Sequence, residues 1–323
     1  MSAYPTSNQV EVSYKKSVIK RNRMRTLWLL FLLAPPITML LTFVFLPMAS
    51  AVLYSLYDWN GLVRGSFNGL QNYYEVLFDP NLNTFVLNAF KNNVVVFVAL
   101  MIGQNGLALV FALLLAREPK GYRIYQVVYF LPVILSTVII GFQWKMFLNP
   151  IFGLVNKFLR AVSLNDWALP WLGLEETALP SMIIVNTWHW VGFPTIVFLA
   201  AIHRIPKDFI EAARLDGASE WHIAKDIIWP LMAPAVTIIV VLTFIGSFNW
   251  FEIPYIMGSL EGSPNYSTDM LGLVFYRTAF GSVSSGGSDF GAGSALAVLI
   301  FIFIFTFSII ATRYLTSREV EMG

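Results

Sequence analysis

The 323 residues contain no cysteine, which excludes disulfide bridges and thiolate metal sites but leaves the compartment undecided. Charge is nearly as scarce. Lys, Arg, Asp and Glu make up 12% of the chain, against a soluble norm of about 25%, so there is too little charge to clothe a globular surface in water. The three histidines are too scattered to form a metal site. A net charge of +2 gives no basic field for nucleic acid. No G-x-x-x-x-G-K-[ST] stretch occurs, so the chain lacks the usual means of cradling ATP phosphates.

What is present is apolar. Hydrophobic residues make up 57% of the chain and gather into six runs, each long enough to cross a hydrocarbon core of about 30 Å. The runs are Thr26–Leu53, Asn92–Ala116, Tyr125–Phe147, Ser181–Ile202, Leu231–Met257 and Ser294–Tyr314. The expected fold is an all-α integral membrane protein with six transmembrane helices. The first run is too long for a signal peptide and lacks an evident cleavage site, so it is expected to remain as an anchor. Six spans put both termini on one side, together with 15 of the 21 Lys and Arg residues, and that side is therefore read as cytoplasmic. The organisation follows: a basic cytoplasmic tail over 1–25, a six-span domain over 26–316 and a cytoplasmic tail over 317–323. The outer loops, about 57–88, 148–178 and 259–290, form no separate domain, and Gly281–Gly293 reads as a flexible outer loop.

One window breaks the apolar pattern. Between Arg204 and Asp226 the charges are too dense for membrane core, at roughly 2.5–3.5 kcal/mol for each charge at a helix centre. Pro206 can open a helix there, with Asp208 in its first turn. Gly217 can end it in a left-handed conformation, and Ser219 can cap a second helix running toward Trp229 and Pro230. The spacing predicts a helix, a glycine corner and a helix, presented on the cytoplasmic membrane surface between spans 4 and 5.

Polar and aromatic residues also collect inside two spans. Span 4 carries Asn186, Thr187, Trp188, His189, Trp190 and Phe193; span 5 carries Thr243, Ser247, Asn249, Trp250 and Glu252. At helical spacing Asn186, Trp190 and Phe193 share a face, as do Thr243, Ser247 and Trp250. Lipid offers such groups no partner, so they face protein or water. Together they can line a water-filled path, offering hydroxyl and amide hydrogen bonds and aromatic faces. Singly, each fits helix–helix glue or packing equally well. His189 reads as a packing residue, and Glu252 as a residue near the outer interface that could also orient a substrate or pair with a companion subunit.

The stretch EAARLDGASEWHIAKDIIWPLMAP, Glu211 to Pro234, resembles the cytoplasmic EAA loop of membrane subunits of bacterial ATP-driven, binding-protein-dependent importers. Glu211, Ala212, Ala213, Asp216, Gly217, Ala218, Ile227, Pro230 and Pro234 match that pattern. Ala224 departs from it where an aromatic is usual, and Trp229 where Leu precedes the proline. FNGLQNYYEVLFDP (67–80), YFLPVILSTVIIGFQWKMFLNPIFGLVN (129–156), VNTWHWVGFP (185–194) and DFGAGSALAV (289–298) are similar to the sugar-importing branch, maltose-type relatives included.

The resemblance implies a coupling loop over 204–230 whose short helix docks in a cleft of a cytoplasmic ATPase, Glu211 pairing with a basic side chain there. It implies a path lined by spans 4 and 5, with Val133 and Thr137 of span 3 contributing. Its partners would be a homologous second permease subunit, two ATPase subunits, an extracytoplasmic solute-binding protein and membrane lipid. ATP and Mg would belong to the ATPase, with no catalytic residue and no bound cofactor in this chain. The location would be the bacterial cytoplasmic (inner) membrane. An ion-driven carrier should instead show paired repeats and midplane carboxylates, and an embedded enzyme an acid/base or metal cluster; neither is evident. The sugar stays open: Lys91, Lys145, His189 and Arg277 leave room for an anionic one.

Overall fold

A computed structural model of the chain describes residues 24–26, 28–61, 63–281 and 287–317. Of the expected tails over 1–25 and 317–323, residues 1–23 and 318–323 lie outside the described residues. The first helix, α1 (Met24–Tyr54), runs for 31 residues with none of its apolar window buried. It belongs to a unit ending at Leu53, and a second unit begins at Tyr54.

The second unit opens on an antiparallel hairpin, β1 (Tyr57–Asn60) and β2 (Val63–Phe67). Expected as loop, this hairpin makes the chain mostly rather than purely helical. A short helix follows, α2 (Gln71–Phe78), and then α3 over Pro80–Leu115. α3 starts twelve residues before the expected Asn92. Asp79 caps it by accepting from the Asn81 N–H, and Pro80 fills the first turn, where a missing N–H costs nothing. The polar residues in the first half of α3 are engaged inside the fold. Asn92 donates to the Asp269 carbonyl (2.9 Å), while Asn93 donates to the Ser247 carbonyl (2.6 Å) and accepts from the Leu271 N–H (3.0 Å).

Two expected spans are bent. α4 (Tyr122–Ile134) and α5 (Thr137–Phe147) meet at 94°, because Leu135 and Ser136 are extended (ψ 148° and 132°) just after Pro132. Further on, α6 (Leu154–Ala161) is a short helix in the next connection. α7 (Glu175–Trp190) and α8 (Gly192–Arg204) then meet at 46°. At that bend a Cβ on Gly192 would lie 2.2 Å from the Tyr129 carbonyl oxygen, so only glycine lets α8 cross α4 this closely.

Beyond the hydrophilic window come α9 (Lys207–Leu215) inside it, α10 (Ala233–Phe248), α11 (Glu252–Gly258), α12 (Leu271–Phe280) and α13 (Phe290–Thr316). The tract expected as a flexible loop, Gly281–Gly293, is divided. Residues 282–286 lie outside the described residues, whereas Gly291 and Gly293 are buried in the first turn of α13. Asp289 caps that turn by accepting from the Ala292 N–H at 2.9 Å.

By length and composition α1, α3, α10 with α11, and α13 can each cross a bilayer, which gives four crossings, or up to six if each bent pair is one. Three buried clusters hold the second unit. One joins α3 and α8 to the hydrophilic window through Ala108, Phe198, Ile202, Ile223 and Met232. The second gathers Val96, Ile140, Met182, Trp250 and Ile253, and the third packs Phe244 and Phe248 against α12 and α13.

Arg277 is not free for an anionic ligand. It forms a buried two-pronged ion pair with Asp269, one prong at 2.8 Å, and lies over the rings of Phe85 and Tyr266. Burial pushes the Asp269 carboxyl above its ordinary value, with the Arg277 hydrogen bond and charge pulling the other way.

Candidate functional site

The hydrophilic window folds as its residues dictate. Pro206 precedes α9, and Asp208 lies in its first turn. The helix stops at Gly217, whose φ is +80°, with the Ala218 N–H reaching back to the Ala213 carbonyl at 2.9 Å. This is the left-handed glycine stop that satisfies end carbonyls. Ser219 then caps the next turn, accepting from the His222 N–H and bonding the His222 Nδ1 at 2.7 Å.

The chain continues through Glu220–His222, a π-helical run Ile223–Ile228, and Trp229–Leu231, so Pro230 does not end the second helix as the sequence suggested. The wider register fits there: the Trp229 N–H reaches five residues back to the Ala224 carbonyl, immediately ahead of a proline with no N–H to give.

Glu211, Ala212, Asp216 and Gly217 are exposed, and Ala213 and Ala218 are half-buried against the α3/α8 cluster. The sequence reading missed two features here. Glu220 sits between Arg117 (3.3 Å) and Arg214 (3.1 Å), tying α9 to the connection between α3 and α4. Phe209, Trp221 and Leu215 are also exposed beside the charges, Leu215 by 89%.

The path candidates converge. Thr137, Asn186, Trp190, Phe193, Thr243, Ser247, Asn249 and Trp250 all line one cavity of about 530 Å³. It is built from α3, α5, α7, α8, α10 and the turn into α11, and its size falls in the range of about 300–1,000 Å³ typical of ligand pockets.

Within that set the structure separates wall from lumen. Asn186 donates to Gln104 at 3.2 Å, Asn105 donates to the Thr243 hydroxyl at 2.9 Å, and Ser247 gives its own hydroxyl to the Thr243 carbonyl at 2.7 Å. These are helix-to-helix and helix-to-self bonds. Trp190, Phe193 and Asn249 are exposed toward the open space, with Thr137 half-buried. Two buried wall atoms, Asn105 Oδ1 and Trp250 Nε1, have no hydrogen-bond partner among the described residues.

Gln104 and Asn105 had not been singled out, because one amide pair in an apolar run gives no periodic signal. A π-helical turn at Leu100–Gln104 brings both to the wall. Glu252 also lines the cavity, in the first turn of α11. Among the described residues no basic side chain lines it. Lys145 donates to the Ile256 carbonyl at 2.8 Å, and His189 is fully buried with Nε2 3.2 Å from the Leu135 carbonyl at the break between α4 and α5.

Long apolar helices, two bent helix pairs and a cavity lined by polar and aromatic groups are the marks of a polytopic helical membrane protein. The chain belongs to the family of binding-protein-dependent transport system inner membrane components, whose pattern matches residues 104–320. It is therefore a multi-pass membrane transport subunit, with ATP hydrolysis assigned to a separate subunit in such systems.

It is 28% identical over 296 residues to the probable starch degradation products transport system permease protein AmyD of Thermoanaerobacterium thermosulfurigenes, covering 92% of this chain and 96% of AmyD. It is 30% identical over 269 residues to the trehalose/maltose transport system permease protein MalF of Thermococcus litoralis, covering 82% and 85%. Its fold is similar to that of a bacterial ABC transporter involved in import of the acidic polysaccharide alginate. That likeness has a TM-score of 0.76 at 21% identity, over 93% of this chain and 98% of that one.

Proposed function

We propose that this chain is one of two membrane subunits of an ATP-driven oligosaccharide importer, crossing the membrane six times with both termini in the cytoplasm. Its companions are a homologous permease, two cytoplasmic ATPase subunits and an extracytoplasmic solute-binding protein. The cavity forms this chain's half of the path: Trp190 and Phe193 offer ring faces, and Thr137, Asn249 and Glu252 offer polar contacts to sugar hydroxyls. Closure of the ATPases reaches the path through α9, with Glu211 as the docking charge and Gly217 as the corner. From there Ile223 and Met232, packed on α3 and α8, carry the displacement toward α10.

The observation that carries this reading is the convergence of eight polar and aromatic residues from four separate helices and the α10–α11 turn on one cavity. The relatives' names, starch products and trehalose/maltose, point to neutral oligosaccharides. The absence of basic groups among the described lining residues agrees. The direct test is a binding screen of the cognate solute-binding protein against neutral and uronic-acid oligosaccharides. Selective binding of a neutral oligosaccharide is expected; binding of amino acids or ions alone would overturn the substrate class.

Two further outcomes are expected. Trp190→Ala should cut sugar uptake about fivefold, from the loss of a ring contact worth about 1 kcal/mol, with assembly and basal ATP hydrolysis unchanged. Ser247→Ala, whose hydroxyl is engaged by its own helix, should transport nearly as the parent. Uptake in proteoliposomes checks both, and parental uptake by Trp190→Ala would return that ring to simple packing.

Orientation is tested separately with single cysteines, which the chain otherwise lacks. A cysteine replacing Ser219 should be shielded from an impermeant thiol reagent in intact cells, and one replacing Asn165 should react. The reverse pattern would invert the topology.

A further inference from the structure

Helix α6 is sharply two-faced and is used by neither the cavity nor the coupling loop. Asn156 on one side is fully buried, donating to the Leu169 carbonyl at 2.9 Å and accepting from Trp171 Nε1 at 2.7 Å. That pins the polar side to the protein. On the opposite side Leu154 and Phe158, one turn apart, are 61% and 64% exposed, and Val162 continues the row. Lys157, exposed, borders the row, whereas Arg160 lies on the Asn156 side of the helix and donates to the Pro150 carbonyl.

The elbow before α6 is built. Asn149 Oδ1 accepts from the N–H groups of Ile151 and Phe152, and the Gly153 N–H donates to the Asn149 carbonyl. The turn thus fixes how α6 leaves α5. The exposed apolar strip of α5, Ile139, Phe142 and Met146, runs straight into it.

We propose that α6 lies along the bilayer surface at the end of α5. The row Leu154, Phe158 and Val162 dips into the acyl edge, and Lys157 meets phospholipid phosphates. An amphipathic helix with basic groups beside its apolar face binds in this way. Two observations favour lipid as the occupant: the helix follows an apolar bent helix pair with an exposed apolar strip of its own, and Lys157 beside the row complements phosphate. Trp167, 63% exposed a short distance on, is the residue type that collects at this depth. The helix would act as an outrigger, holding α5 at the surface while α4, beyond the 94° bend, is left to move.

The inference rests on the membrane assignment but not on the sugar. Its test uses the full transporter complex in nanodiscs of phosphatidylethanolamine and phosphatidylglycerol. Phe158→Cys and Lys157→Cys each carry an environment-sensitive fluorophore. At position 158, lipid doxyl-labelled near the headgroup should quench emission about twofold or more, and mid-chain doxyl lipid should quench it less. At position 157 aqueous iodide should quench readily. Adding the loaded binding protein should change neither.

Equal iodide quenching at both positions would overturn the proposal. So would a position 158 shielded only when the binding protein is added, which would give this surface to that protein instead. Since lipid quenching is read without any transport, its failure would leave the importer reading standing, and the absence of sugar uptake would leave α6 at the interface.

Discussion

A Gly217→Val complex is expected to reach the membrane at near-parental abundance and to lose the ATP hydrolysis stimulated by loaded binding protein. Gly217 has a φ of +80°, and a Cβ there would meet nothing within 4 Å. The penalty is therefore conformational and not steric. A β-branched residue forced to positive φ costs about 1–2 kcal/mol or more. The helix stop would relax, and the angle between α9 and the Ser219 cap would change. Gly217→Asn, which tolerates the left-handed region, should keep most activity.

Glu211→Lys places a like charge against the basic partner assigned to the ATPase. Stimulated hydrolysis should fall about tenfold or more. Both sites lie on exposed backbone outside the crossings, so insertion is spared. A Glu211→Lys complex that assembles, hydrolyses and transports like the parent would remove the docking role from this residue.

The second large effect concerns the buried ion pair of Asp269 and Arg277. Asp269→Ala is expected to lower the yield and melting temperature of the purified complex severely, because Arg277, 5% exposed, would remain in place without its counter-charge. Breaking a buried pair in this way costs about 3–5 kcal/mol. Replacing both partners with apolar residues of similar size, Asp269→Leu with Arg277→Met, should recover much of that loss, since no uncompensated charge is left. Thermal melting in detergent reads all three forms. An Asp269→Ala protein that melts with the parent would mean that Arg277 reaches solvent or another acid.

How much of this could be read from the residues depends on where the signal is local. The first corner of the hydrophilic window could be read residue by residue. Pro206, Gly217 and Ser219 act through their own backbone preferences, and the structure places each at the position those preferences predict. The cavity set was readable because Asn186, Trp190, Thr243 and Ser247 stand out against apolar neighbours at helical spacing.

The breaks were not readable. Apolarity is unchanged across Leu135 and Ser136, so the run Tyr125–Phe147 read as one span although the backbone turns by 94°. Asn88 fell in an expected loop and Asn92 and Asn93 at the start of an expected span; their roles were not readable, because their partners, Tyr266 to Leu271 and Ser247, are more than 150 residues away in sequence. Asp269 was overlooked for the same reason: its meaning comes from Arg277, and a single acid in a loop gives no pattern. Glu252 was expected near the outer interface, where a charge is cheapest, and its place on the cavity wall depends on the break between α10 and α11.

The central claim is that this chain passes a sugar across the membrane only when an ATPase drives it and a binding protein delivers it. The most direct measurement is uptake of the oligosaccharide selected by the binding protein, in proteoliposomes carrying the complete complex. Uptake should require ATP in the compartment holding the ATPases and the loaded binding protein in the other, and should ignore proton or sodium gradients. Uptake that runs on an ion gradient with ATP absent, or without the binding protein, would contradict the account.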